Sequence, residues 1–303
     1  MSSQTWLHFL PLSVFFIFPA TFLITYCISV LLGHTEPDFP YISDTGTYSP
    51  ESCIFGQAVN MGACLVGLTV YVRYRQIAEL YQTHSTQSNI LRANRAAAFF
   101  GYISALGMSL SANFQETNVI SVHLVGAIMA FGGGTLYLWL QAVCSYETHP
   151  LLNSMGVAHL RLGLGIMSAS FFVLGCVCAG IAHSLFDGVD PRKWYPSNGG
   201  WTYHVISTAS EWICASTFAI FMLTLVPEFR RVSLNSPEIF IDLETLSITS
   251  IHEACNSIES NGGGLASRSI SDESLGRALI PQNGDRDSRQ VIVVDDVVGD
   301  VVS

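Results

Sequence analysis

The stretch Trp201–Val226 constrains this chain more than any other. It reads WTYHVISTASEWICASTFAIFMLTLV and carries one charge, Glu211, near its middle. About two dozen mostly apolar residues rising ~1.5 Å each are enough to cross the ~30 Å hydrocarbon layer of a bilayer. An acid at the centre of such a helix costs roughly 2.5–3.5 kcal/mol to insert. Glu211 must therefore face protein, a polar cavity or a neutralising proton. His204, Thr208, Glu211 and Ala215 fall on one helical face, so a polar seam runs along this helix and other helices have to cover it.

The rest of the chain supplies those helices. Half of its residues are hydrophobic and 12% are charged, against about 25% charged in soluble domains, and mean hydropathy is +0.41. The sequence predicts an all-α integral membrane protein: a six-transmembrane-helix bundle over residues 1–232, followed by a disordered, acidic, Ser-rich cytosolic tail over 233–303. The expected spans are 9–32, 54–74, 96–113, 119–143, 162–183 and 201–226. The first is too long for the apolar core of a signal peptide and lacks a basic leader, so it is expected to stay. Between the first two lies a polar loop, 34–53, whose Pro and Asp-Thr-Gly turns suit a lid on the bundle. Small residues recur every fourth position at Ala93, Ala97, Gly101, Ala105, Ser109 and Asn113, and again at Gly126, Ala130 and Gly134. The third and fourth helices, joined by a very short turn, are expected to mate through these two stripes.

Charge is uneven. Of the net −10, residues 228–303 account for most, with thirteen acids against six arginines; the remainder holds ten acids and seven bases. No basic patch exists to release counterions from a phosphate backbone, which excludes nucleic acid as a partner. Arg73, Arg75, Arg92, Arg95, Arg161, Arg230 and Arg231 fall on one side of a six-span topology, and Arg192 and Lys193 on the other. The excess of positive charge predicts that both termini are cytosolic. The eight cysteines lie mainly in or beside apolar segments and make no disulfide framework. Cys144, near a membrane edge, is a candidate for acylation.

Six polar residues are expected to share the non-cytosolic half of the membrane: Gln57, Asn60, Asn113, His123, His204 and Glu211. Such a cluster can fix helix packing by hydrogen bonds, bind a lipid headgroup, or relay a proton through its Glu and His members. Catalysis has the weakest support. There is no HExxH, no Gly-x-Ser-x-Gly elbow and no phosphate loop. Ser43-Asp-Thr-Gly46 looks like an aspartic-protease signature, but no second copy or β-rich fold accompanies it. No catalytic residue, cofactor or metal ligand is assigned. On the cytosolic side, Glu147, Leu151 and Leu152 fit the acidic dileucine pattern read by sorting adaptors.

Taken together, several motifs resemble the damage-regulated autophagy modulator family. They are Pro40-Tyr-Ile-Ser-Asp-Thr-Gly-Thr47, Pro50-Glu51, Cys53-Ile-Phe-Gly56, Tyr71-Val-Arg-Tyr74, Ala112-Asn-Phe-Gln115, His123 and Glu211-Trp212, in order over residues 5–234. The resemblance implies a six-span, non-enzymatic protein of lysosomal or other endomembranes that promotes autophagy and, in some members of the family, cell death under stress. Its implied partners are membrane lipids and proteins of the autophagy and lysosome system. More distant relatives include a partner of a lipid kinase and a factor in lipid remodelling, so lipid handling or headgroup sensing stands as the alternative.

Overall fold

The computed structural model describes residues 6–84, 88–190 and 193–233. Of the tail expected from residue 233, all but its first position lies outside the described residues, as does Arg192. Within them the chain forms α1 (Phe9–Leu31, entered by a 3-10 turn at Trp6–His8), α2 (Glu51–His84), α3 (Ser88–Asn113), α4 (Glu116–Ala127), α5 (Gly133–Glu147), α6 (Met155–Leu185) and α7 (Trp201–Phe229). A π-turn at Ile128–Gly132 joins α4 to α5, making one rod over 116–147. The protein is a bundle of six helical rods, and no strand occurs among the described residues. Five rods are long and apolar enough to cross a membrane. The remaining one, α3, has 26 residues and so reaches about 39 Å; it is more polar because Arg92 and Arg95 lie in its first turns.

The rods close into a ring. α1 packs on α2 and α7, α2 on α3, α3 on α4 and α5, α5 on α6, and α6 on α7. Outward side chains such as Phe16, Leu106, Ile128 and Val173 are more than half exposed. That apolar exterior suits lipid rather than water. α7 is the most enclosed of the five apolar rods: 56% of its most apolar window is buried, against 22% for α6. This is the enclosure that the charge on Glu211 demanded. α2 runs ten residues beyond Tyr74, and Ile77 and Tyr81 there pack with Ile90, Cys144 and Leu152 in a second small core. Cys144 is fully buried, so it offers no thiol for acylation.

α3 and the fourth rod do pack closely, but the closest contact uses only the second of the two expected stripes. A Cβ on Gly126 would lie 2.7 Å from Ser111 Oγ, one on Gly107 would strike the backbone of Ala130, and Ser104 Oγ donates to the Ala130 carbonyl at 2.7 Å. The α3 face involved is therefore Ser104, Gly107 and Ser111. The predicted stripe is turned mainly toward α2: Gly101 abuts Val70 of α2 and also Tyr137 of α5, and Ser109 and Asn113 bond to Asn60 of α2. Its four-residue period is shared by every face of α3 that meets a neighbour, so spacing alone did not select the partner.

The loop after α1 lies across one end of the ring as a lid. Ile42, Asp44, Thr45 and Thr47 are buried. The lid is tied to α1 by Tyr26 Oη to the Pro37 carbonyl (2.9 Å) and by Thr25 to Thr45 (3.1 Å). It is tied to α7 by Trp212 Nε1 to the Pro40 carbonyl (3.0 Å) and Tyr41 Oη to Ser207 (2.8 Å). Lys193 Nζ donates to the Gly33 carbonyl and Tyr195 Oη to Glu36, joining the lid to the α6–α7 loop.

Candidate functional site

The six polar residues singled out above sit in the half of the bundle nearer the lid, but they divide into separate groups. Asn60 and Asn113 bond to each other at 3.0 Å and to Ser109, on the outer α2–α3 seam. Gln57 is exposed beside them. His123 is buried, and its Nδ1 lies 2.9 Å from the Phe114 carbonyl and 3.2 Å from that of Ser111. Both partners are acceptors, so Nδ1 carries the proton and caps carbonyls that the end of α3 leaves unpaired. His204 is stacked on Trp194 (4.2 Å between centroids, 6° apart) with Tyr41 at its edge. Glu211 accepts the Ile42 N–H at 3.0 Å through Oε2. No Glu–His pair forms between Glu211 and His204.

Two adjoining cavities connect part of this set. The larger, about 490 Å3, runs between α4 and α6 and is lined near the lid by Tyr41, Asp44, Glu116, His123, Ser207 and Glu211. Its other walls are apolar, with Ile120, Leu124, Ile128, Phe131, Phe171 and Phe172. The smaller, about 90 Å3, penetrates toward α1 and α2 and shares His123, Ala127, Phe131, Glu211 and Cys214 with the first. The backbone explains the opening. Val119 leaves helical geometry (φ −141°, ψ 72°), and the π-turn begins at Ile128. Such turns bend helices. α4 thus packs on α3 and has little contact with α6, whereas α5 packs on both α3 and α6.

Burial pushes the Asp44 carboxyl well above the usual carboxylate range, and the adjacent charge of Glu116, a hydrogen bond to it, and Glu211 push the same way. The Tyr41 N–H, donating to Asp44 Oδ2 at 3.1 Å, opposes them more weakly. Together these influences favour the protonated form of Asp44, hydrogen-bonded to Glu116. Burial likewise raises the Tyr41 phenol, which stays protonated and donates to Ser207.

At the other end of the ring lies a group that the sequence reading missed. Glu228 bridges Arg73 and Arg161, and all three are buried. Arg73 Nε also donates to Gln141 at 3.0 Å; Arg161 donates to Ser145 and to the hydroxyl and carbonyl of Thr224. In the sequence the arginines read as flanking charges, and Glu228 falls with the acidic stretch 228–303. A signal was present: Val66, Val70, Arg73 and Ile77 recur at helical spacing and are all buried, as are Ala158, Arg161 and Leu164, and Phe221, Leu225 and Glu228. A charge in phase with an apolar stripe is enclosed by the packing that encloses the stripe.

The sorting pattern is only partly presented. Glu147 and Leu151 are exposed, but Leu152 packs into the small core beside Ile77 and Tyr81. Among the described residues, no three His, Cys, Asp or Glu side chains lie close enough to hold one metal ion.

Residues 6–232 match the family model described as the Frag1/DRAM/Sfk1/Cwh43P N-terminal domain. The chain is 37% identical over 235 residues to DNA damage-regulated autophagy modulator protein 2 of Homo sapiens, covering 76% of this chain and 87% of that protein. It is 36% identical over 215 residues to DNA damage-regulated autophagy modulator protein 1 of Homo sapiens, covering 71% and 87%. It is 36% identical over 152 residues to Modulator of macroautophagy TMEM150B-B of Xenopus laevis, covering 50% and 63%. No solved structure matches.

Proposed function

Because this chain belongs to the Frag1/DRAM/Sfk1/Cwh43P family, we propose that it is a non-enzymatic, multi-pass membrane regulator of autophagy. The carrying observation is the extent of the likeness: the family model covers residues 6–232, which hold all six rods and the lid, and proteins named as autophagy modulators are 36–37% identical over 215 to 235 residues. We place it in lysosomal or related endomembranes, acting in autophagy and in cell death under stress. Seven arginines at the end opposite the lid support cytosolic termini and a lid on the far side of the membrane. In this reading the polar residues near the lid shape the bundle, and proteins of the autophagy and lysosome system meet its cytosolic surfaces. Cells lacking the protein should show reduced autophagic flux, measured as turnover of an autophagosome marker with and without lysosomal inhibition. Re-expression should restore it, and unchanged flux after loss would reject the reading. Glu211→Gln should lower the yield of folded protein more than the activity per folded molecule.

A second reading, lipid binding or headgroup sensing, is favoured by one observation. The bundle is not solid near the lid: a cavity of about 490 Å3, within the ~300–1,000 Å3 typical of ligand pockets, runs between two lipid-facing rods. Lipid retained after purification into nanodiscs supports this reading, and an Ala127→Phe protein that folds and retains the same lipid opposes it.

A further inference from the structure

We propose that the cavity between α4 and α6 binds an amphiphile with an ammonium head, the head seated against Glu211 and the chain leaving between the two rods into the bilayer. The inference rests on the lipid-binding reading above and adds the sign of the headgroup.

The walls decide that sign. Three carboxyl groups, Asp44, Glu116 and Glu211, line the lid end, and among the described residues no lysine or arginine lines the cavity. An anionic head would add a further negative charge to a low-dielectric site, where repulsion is weakly screened. Of the two histidines, His123 has its Nδ1 proton committed to the carbonyls that end α3, and His183 is exposed at the rim. Glu211 uses Oε2 for the Ile42 N–H. Its Oε1 has no hydrogen-bond partner among the described residues and stands at the junction of both cavities. A neutral chain would leave that acceptor unpaired, whereas an ammonium supplies up to three donors. The protonated form of Asp44, favoured by burial and hydrogen-bonded to Glu116, keeps that pair together beside the head.

Shape and polarity agree with charge. From the carboxyl groups the lining turns aromatic and aliphatic at Phe131, Phe171 and Phe172, and it reaches the lipid-facing surface at Ile120, Leu124 and Ile128, each half or more exposed. A headgroup thus enters sideways from the bilayer while its chain stays in hydrocarbon. The donors are too dispersed to hold one compact metal ion, but a bulkier organic cation can meet them across the cavity.

The test uses full-length protein in phosphatidylcholine nanodiscs with photoreactive hexadecylamine, hexadecanol and hexadecyl phosphate, which share a chain and differ in head. Crosslinks are mapped to peptides, and affinities are compared by competition. The amine should label α4 and α6 and bind about tenfold or more tighter than the other two. Glu211→Gln should remove most of that preference, and Ala127→Phe should abolish labelling by all three. Should Glu211→Gln fail to fold, Glu116→Gln, at the mouth, is read instead with the same expectation. Equal binding of all three heads, or a preference unchanged in the folded variant, overturns the charge assignment and leaves the lipid reading standing. Absence of labelling in the cavity by any of the three overturns both.

Discussion

Two glutamates occupy one helix and answer the same difficulty differently. Glu211 lies mid-helix, where insertion is costly, and is held by one backbone N–H and a cavity. Glu228 lies one residue from the end of α7 and is clamped by two guanidinium groups. Removing one partner from a buried charge group costs about 3–5 kcal/mol, because the remaining charge stays buried. Glu228→Gln leaves two facing arginines and should destabilise the protein by that amount, read as a fall in the thermal unfolding midpoint in detergent. Replacing all three members by leucine or methionine should cost less than that single change. Asp44 gives a pH prediction. Burial and the neighbouring carboxylates hold its folded carboxyl well above the usual carboxylate range, so the folded state keeps a proton that the unfolded chain releases near ~3.9. Its stabilising effect is complete below that value and is lost as pH rises through the folded one. The unfolding midpoint should therefore fall as pH rises from about 4 through the raised folded value, and Asp44→Asn should make that fall shallower. Of these residues, Glu211 was legible because a lone acid in an apolar run is conspicuous. Glu228 was not, because a charge beside a helix end looks solvated until its phase with Phe221 and Leu225 is followed.

At the scale of elements, long apolar runs marked most of the rods, and the turn-rich 34–53 stretch marked the lid. What spacing could not give was the choice of neighbour and the break in the fourth rod. A π-turn needs no special residue, and Ile128–Gly132 reads as ordinary helix; only the packing reveals the bend, since both halves lie on α3 but α5 alone also packs on α6. Glycines test this packing. A Cβ at Gly107 meets backbone of the neighbouring rod, which cannot move aside, whereas one at Gly67 meets nothing within 4 Å. Gly107→Val should cost about 1–3 kcal/mol or prevent folding. Gly67→Ala should be neutral or add up to about 1 kcal/mol through lost backbone freedom in the unfolded chain. Thermal unfolding of the two variants side by side reads both.

For the molecule as a whole, the ring has two unlike ends. Opposite the lid, Arg73, Glu228 and Arg161 tie α2, α6 and α7 together in a buried junction. Beneath the lid, α4 and α6 separate around a cavity lined with acids. Both the lipid site and the meeting of partners at the cytosolic surface depend on six crossings that place the lid on one face and both chain ends on the other. That arrangement is tested by epitope tags at each terminus and a third inserted after Asp38 in the lid, in cells permeabilised first at the plasma membrane alone and then throughout. The account predicts that both terminal tags are stained at the first step and the lid tag only at the second. Terminal tags on opposite faces, or a lid tag stained together with them at the first step, would contradict it.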